Sequence, residues 1–188
     1  MSAGWLEEDD IHWAYFLALE EDLHRLSRFV EISESNFSAH SIECARLLLA
    51  SCSEAEVVLK LAAGLGRSKK LGDCLAPLGE DAGHLVSGKV LFRRSGLEIQ
   101  PWRDWTSSQY PEWWTAHNGV KHDRSNHYKE ANIKHVAYAV AGLFAALLLY
   151  LRRRGVRAVS PAPRLLRISD HLGSHDMSSE GSIISLQD

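Results

Sequence analysis

The sequence predicts an all-α fold, a bundle of four to five helices around an irregular, tryptophan-rich middle segment. Apolar residues recur at three- and four-residue steps near both ends of the chain, which is the pattern of amphipathic helices. Glycines and prolines interrupt the pattern repeatedly between residues 67 and 110. With 188 residues, 45% apolar and 24% charged, the composition is that of one globular domain.

Two long helices are predicted in the N-terminal half. The first spans about residues 6–32, and the acidic cluster 7–10 stands at its start, where the helix dipole favours negative charge. The second spans about residues 38–63 and is stopped by Gly64 and Gly66. The predicted core positions are Ile11, Tyr15, Leu19, Leu23, Leu26 and Val30 in the first helix, and Ile42, Leu48, Leu49, Val57, Val58 and Leu61 in the second.

The middle of the chain is predicted to be irregular. A helix near residues 68–76 and a short hairpin, with strands at 90–92 and 97–99, fit the pattern. Pro111 suits the first turn of a further helix. Four tryptophans follow Pro101 closely, and we expect them to hold this loop on the bundle rather than to stack on nucleic acid bases. They are Trp102, Trp105, Trp113 and Trp114.

A last helix is predicted over about residues 128–153. Its core, residues 136–151, is apolar nearly all round, but 16 residues fall short of the roughly 20 that a membrane span needs. We therefore expect a buried bundle helix and no membrane association. Residues 158–188 are rich in Ser, Pro and Gly and are predicted to be a flexible tail, which leaves residues 1–157 as the helical domain.

Cysteine usage and the N-terminal residues favour a soluble, cytoplasmic protein. The three cysteines, Cys44, Cys52 and Cys74, form an odd set without metal-ligand spacing, and two of them lie in apolar helical surroundings. A disulfide framework is therefore not expected, and a reducing compartment is favoured. The acidic start of the chain has no apolar stretch after a basic one, so no secretory signal is predicted.

Charge is distributed unevenly along the chain. Residues 1–34 contain nine acidic and two basic side chains, whereas residues 113–157 contain eight Lys or Arg, two acidic side chains and four histidines. A local basic stretch attracts polyanions whatever the net charge. The same stretch would equally pair with the acidic N-terminal region of its own chain, and the sequence leaves both possibilities open.

The polar side chains of residues 113–124 are the most concentrated chemistry in the sequence. If the segment is helical, residues four apart share one face, which groups Asn118 with His122 and His117 with Lys121. Imidazoles transfer protons near neutral pH, and Lys and Arg hold phosphoryl oxygens. The segment therefore predicts a phosphate-handling site made of His117, Asn118, Lys121, His122 and Arg124. The alternative is a polar helix end in which Asn118 and His122 serve only as caps or hydrogen-bond partners.

The spacing His117-Asn118-x-x-x-His122 resembles the Arg-polar-x-x-x-His motif of the HEPN superfamily (higher eukaryotes and prokaryotes nucleotide-binding). HEPN proteins are small helical bundles, and many are RNases of toxin–antitoxin, phage-defence and CRISPR systems. The resemblance covers about residues 6–154 and rests on this one short motif and on the helical architecture. It implies RNA or a nucleotide as partner, a homodimer with two facing motifs, and metal-independent cleavage by attack of the RNA 2′-hydroxyl.

The resemblance also implies a role for each matching residue. Asn118 stands at the polar position and His122 at the histidine, the expected general acid or base. His117 stands where the family has arginine, so Lys121 or Arg124 would have to supply the phosphate-binding charge when His117 is neutral. The departure also allows a non-catalytic member, that is, a helical dimerisation module or a subunit of a larger complex.

Glu56 and Lys60 on the second helix are secondary candidates for substrate binding. They form an i,i+4 pair in the favourable order, and a plain ion pair is the interpretation that we prefer. If partly buried, they would instead orient the histidine or the phosphate. No metal or cofactor site is predicted, because His117, His122 and His127 are five residues apart, which scatters them around a helix.

Overall fold

The computed structural model describes residues 5–6, 10–168, 173–178 and 181–186. In this part of the chain the protein is mainly helical, and two small sheets accompany the helices. The helices are α1 (Ile11–Leu26), α2 (Ile42–Ala62), α3 (Leu75–Leu78), α4 (Glu80–Ser87), α5 (Glu112–His122), α6 (Arg124–His127) and α7 (Ile133–Arg153). The strands are β1 (Trp5–Leu6), β2 (Val90–Phe92), β3 (Glu98–Ile99), β4 (Ala158–Val159), β5 (Leu166–Ile168), β6 (Ser174–Ser178) and β7 (Gly181–Ser185).

Helix α7 is the centre of the core, and its main partner is α2. It begins where the Asn132 side chain accepts a hydrogen bond from the backbone N–H of His135, at 3.0 Å. Within the described residues it is the one helix long and apolar enough to cross a bilayer, yet most of its side chains, such as Phe144 and Leu147, are completely buried by the rest of the protein. Its all-round apolar surface is therefore matched by protein on all sides.

Helix α1 is shorter than the sequence pattern predicts. It begins at Ile11, where the Asp10 carboxylate accepts the backbone N–H groups of His12 and Trp13, and it ends at Leu26. Leu6, the predicted first residue, lies in β1 instead. The other acidic residues of the predicted N-terminal cluster, 7–9, lie outside the described residues.

The buried faces of α1 and α2 match the predicted ones only in part. On α1, Leu19 and Leu23 are buried as predicted, but Ile11 and Tyr15 are exposed, and the N-terminal half buries Trp13 and Phe16 instead. On α2, Leu48 and Val58 are buried as predicted, but Ile42, Val57 and Leu61 are exposed. Two polar contacts join the helices beside these faces: His12 Nδ1 lies 2.5 Å from Glu54 Oε1, and Arg46 donates to Asp22 at 2.5 Å.

The predicted hairpin is present, and it belongs to a three-stranded sheet. Strands β2 and β3 pair antiparallel with Val90 opposite Ile99, and β5 pairs with the other side of β2, with Val90 opposite Ile168. The second sheet has the order β1-β4-β7-β6. The all-α prediction is therefore correct only in the coarser sense of a mainly helical fold.

The prediction of a flexible tail over residues 158–188 is wrong for the described part of that segment. It contains four strands, and the side chains of Leu166 and Ile184 are completely buried. The carboxylate of Glu20, itself buried on α1, accepts a hydrogen bond from the backbone N–H of Leu165. Apolar burial and this hydrogen bond together hold the segment against the helices.

The tryptophan-rich loop is packed against α7. Trp102 donates from its indole N–H to the Gly142 carbonyl at 2.9 Å, and Trp113 donates to the Pro101 carbonyl at 2.7 Å. The Trp102 ring contacts those of Trp105 and Trp113 at centroid distances of 4.9 Å. All three are buried, so their faces are not available for base stacking. The three cysteines are free and buried.

Candidate functional site

Helix α5 carries most of the motif predicted from the sequence. It begins directly after Pro111, which occupies the N-cap position without a side-chain hydrogen bond, and it packs against α2 and α7. It ends at His122 because Asp123 has non-helical backbone angles, φ −146° and ψ 61°. Arg124 consequently belongs to a separate short helix, α6, and does not extend the face of Lys121 as a continuous helix would.

His117 lies on the buried side of α5. It is only 4% exposed, its ring packs on Trp114 with 5.1 Å between centroids, and its Nδ1 has no hydrogen-bond partner within the described chain. Burial lowers the pKa of His117 to about 4, and the charges of Lys121 and His122 act in the same direction. The imidazole is therefore neutral near pH 7. It does not carry the positive charge that the HEPN resemblance requires of an arginine at this position.

The other motif residues of α5 lie nearer to solvent. Asn118 is half-buried, and Lys121 and His122 are exposed on the last turn of the helix. Within the described residues the Asn118 side chain makes no hydrogen bond, so it does not orient His122 in this conformation. The helix dipole places partial negative charge at this end, which favours the cation of Lys121.

The pair Glu56–Lys60 on α2 lies beside His117. Lys60 Nζ is 2.8 Å from Glu56 Oε1 and also donates to the Arg67 carbonyl at 3.2 Å. The negative charge of Glu56 partly opposes the lowering of the pKa of His117, so the carboxylate lies within electrostatic range of that imidazole. The predicted ion pair is thus present, and it stands next to the motif rather than on a remote surface.

Gly119 and His127 add a feature that the sequence interpretation did not include in the site. A Cβ atom at position 119 would lie 2.8 Å from the His127 ring, so only glycine lets this ring rest on α5. Glu130 accepts a hydrogen bond from His127 at 2.9 Å and raises the pKa of that imidazole. In the sequence, the glycine at position 119 is the one indication that another group approaches α5 this closely.

Internal ion pairs occupy part of the basic stretch. Arg152 and Arg153 both pair with Asp81, and Arg154 pairs with Asp10 at 2.8 Å. Lys121 and Arg124 form no ion pair with any described residue, and both are exposed. Asp81 on α4 and Asp10 in the acidic N-terminal region therefore neutralise the far end of α7, whereas Lys121 and Arg124 remain open to an external anion.

The end of α5 thus presents two exposed cations, Lys121 and Arg124, and one exposed imidazole, His122. Lys and Arg side chains bind phosphate oxygens, and imidazole exchanges protons near neutral pH. No group of three or more His, Cys, Asp or Glu side chains suited to a metal ion occurs within the described ranges. Comparison with protein-family models, with curated proteins and with solved structures finds no match to this chain.

Proposed function

We propose that the protein binds RNA or a nucleotide through the exposed end of α5 and the start of α6. The observation that carries this proposal is the exposure of Lys121, His122 and Arg124 at one helix junction, within a segment that resembles the HEPN motif. Both cations are without an internal partner in the described part of the chain, and open cations of this kind attract phosphates.

The burial of His117 changes the roles proposed for the individual residues. A neutral imidazole does not bind a phosphate by charge, so Lys121 and Arg124 take that part. His117 acts instead as a packing residue: its ring lies on Trp114 of the same helix, on the side of α5 that is buried in the bundle. Glu56 and Lys60 pair with each other, and Lys60 also donates to the Arg67 carbonyl, so we assign this pair to the structure of α2 rather than to substrate contact.

Metal-independent RNA cleavage is the activity that this site would support. A base removes the proton of the RNA 2′-hydroxyl, the 2′-oxygen attacks the adjacent phosphorus, and an acid returns a proton to the departing 5′-oxygen. His122 would serve as one of these two groups. Because one exposed imidazole does not fill both roles at once, the proposal includes a homodimer in which the second copy supplies another His122. A defence or antitoxin partner and a cytoplasmic location belong to the same proposal.

RNA binding is tested by fluorescence anisotropy with a labelled single-stranded RNA. The double variant K121A/R124A lacks two of the proposed phosphate contacts. It should therefore bind RNA of every sequence more weakly than the parent does, and the magnitude of its slope of log affinity against log salt concentration should be smaller by roughly 1.5. The variant R25A is the matched control, since Arg25 is an exposed arginine on α1 that pairs with Glu21. Equal affinity and slope in parent and double variant would refute the proposed contact surface.

Cleavage is tested with the same RNA in the presence of EDTA. The parent protein should cut the RNA, and His122→Ala should remove cutting while leaving the circular dichroism spectrum unchanged, because the side chain is exposed. Binding without cleavage would support the second candidate function, a non-catalytic helical module. The neutral His117 in the arginine position favours that second function.

A further inference from the structure

RNA cleavage at the end of α5 needs a second proton-transfer group beside His122. His127, in the short helix α6, lies against α5 next to His122, and its side chain is 40% exposed. We propose that His127 is the general acid of the cleavage reaction and that His122 of the same chain is the general base. The inference rests on the proposed function, and it places in one copy of the chain the role that a second copy would otherwise supply.

The position of the His127 ring follows from Gly119. A Cβ atom at residue 119 would lie 2.8 Å from both Cγ and Nδ1 of His127, so the ring rests directly on the backbone of α5 at this point. His122 is three residues further along α5, and side chains three apart on a helix are neighbours, with about 5–6 Å between their Cβ atoms. Two hydrogen bonds of about 2.8 Å, one on either side of a phosphate group, span a similar distance. Both imidazoles are therefore within reach of one phosphate group.

Glu130 orients the imidazole of His127. Its Oε1 accepts a hydrogen bond from Nδ1 at 2.9 Å, and its Oε2 would lie 3.1 Å from a Cβ atom at residue 119, so the carboxylate also lies against α5. Because Nδ1 is engaged, Nε2 is the nitrogen that is left to react, and within the described residues it makes no hydrogen bond. A carboxylate that holds one imidazole nitrogen while the other reacts is a common way to orient a catalytic histidine.

The charges around His127 favour the acid role over the base role. The hydrogen bond from Glu130 raises the pKa of the imidazole, and the negative charges of Glu130 and Asp123 act in the same direction. His127 is therefore protonated to a larger extent near neutral pH than an ordinary histidine is. From α5, the titratable neighbour of this ring is His122, which is exposed and is left to act as the base.

The proposed step balances within one chain. The His122 ring takes the proton of the RNA 2′-hydroxyl, and the 2′-oxygen forms a bond to the adjacent phosphorus. The bond from phosphorus to the 5′-oxygen breaks, and the His127 imidazolium gives its Nε2 proton to that oxygen. The products are a 2′,3′-cyclic phosphate and a 5′-hydroxyl. His122 is left protonated and His127 neutral, and proton exchange with water restores both. Lys121 and Arg124 stabilise the phosphate charge throughout.

The first test is single-turnover cleavage of a labelled RNA in EDTA by the parent protein and by His127→Ala. Loss of a general acid should slow cutting by about 100-fold or more. His24→Ala is the matched control, because His24 is a partly exposed histidine that lies 3.8 Å from Glu21, three residues away on α1. The control should cut at the parent rate.

A substrate with sulfur in place of the 5′-oxygen identifies the role of His127. A thiolate leaves without protonation, because the pKa of a thiol, about 8.5, is far below that of an alcohol. His127→Ala should therefore cut this substrate at close to the parent rate, whereas His122→Ala should not cut it. With ordinary RNA, Glu130→Gln should move the alkaline limb of the pH–rate profile to lower pH, because it removes the main cause of the raised pKa of His127.

The outcomes separate this inference from the proposed function. Cutting of ordinary RNA by His127→Ala at the parent rate would overturn the inference and leave the proposed function standing. A loss of cutting that sulfur does not restore would also overturn it, since that is the result of a merely structural role. An equal mixture of His122→Ala and His127→Ala should stay inactive, and recovery of activity would show that the two groups come from different copies. Failure of the parent to cut either substrate would refute the cleavage activity and this inference with it.

Discussion

The buried imidazole of His117 should make the stability of the folded chain depend on pH. Its pKa in the folded chain is about 4, against an ordinary value of 6.5. Between these two values the unfolded chain binds a proton at this residue and the folded chain does not. Acidification therefore favours unfolding: the stabilisation is fully present above about pH 6.5 and is lost as the pH falls towards 4.

The magnitude follows from the difference between the two pKa values. The linkage relation gives a loss of about 2 kcal/mol at pH 5 and about 3 kcal/mol at pH 4, relative to pH 8. Because His117 is only 4% exposed, solvent screening reduces these values little. A loss of this size is a large share of the roughly 5–15 kcal/mol by which domains are stable.

The assay is urea unfolding, followed by tryptophan fluorescence, at several pH values between 4 and 8. The test variant is His117→Leu, which removes both the titrating ring and its unpaired Nδ1. At pH 8 we expect it to be as stable as the parent or slightly more so, because an unsatisfied buried polar atom is removed. At pH 5 the free energy of unfolding of the variant should exceed that of the parent by about 2 kcal/mol. The control variant is His40→Leu, which removes an exposed histidine. It distinguishes the effect of burial of His117 from the effect of losing any histidine.

The difference between parent and variant isolates His117 from other titrating groups. Burial raises the pKa of Glu20, and Glu130 raises the pKa of His127, so both make stability fall as the pH rises. They are present in both proteins and cancel in the subtraction. The reasoning is refuted if the stability difference between the two proteins is the same at pH 5 and pH 8.

Two further predictions concern packing. Gly142→Ala places a Cβ 2.9 Å from the Trp113 ring inside the core, so it should lower the free energy of unfolding by about 1–3 kcal/mol and lower the melting temperature. Gly83→Ala on α4, where a Cβ meets nothing within 4 Å, should instead raise the free energy of unfolding by up to about 1 kcal/mol. Equal melting temperatures for the two variants contradict this account. Glu20→Ala leaves the backbone N–H of Leu165 without its acceptor, so it should lower the free energy of unfolding by about 1–3 kcal/mol and speed hydrogen exchange at that amide. An unchanged exchange rate would contradict the role of Glu20 in holding this segment.

The helices were the most predictable part of the fold. The periodic apolar residues of α2 and the nearly continuous apolar run of α7 specify helices because their hydrogen bonds are local and their faces repeat every 3.6 residues. The N-terminal boundary of α1 was less predictable. Its start depends on the single cap Asp10, within an acidic cluster in which several residues are equally suited to that role.

The strands after residue 157 were missed because their partners are far away in the chain. Strand β5 is three residues long, and it pairs with β2, so that Leu166 lies opposite Phe92. Strands this short carry almost no periodic signal of their own, and the surrounding Ser, Pro and Gly residues are those of a loop. Burial against α1 and β2, rather than local propensity, orders the segment.

By itself the sequence determined that the chain is mainly helical, that a tryptophan-rich loop precedes α5, and that the polar motif lies on that helix. Each of these is a local property, set by composition and by spacing along a few turns. Only the tertiary structure decided that His117 faces the core while Lys121 and His122 face solvent, and that Glu56 on α2 lies within electrostatic range of His117. Burial and pKa depend on which distant segments pack together, and spacing within one helix does not contain that information.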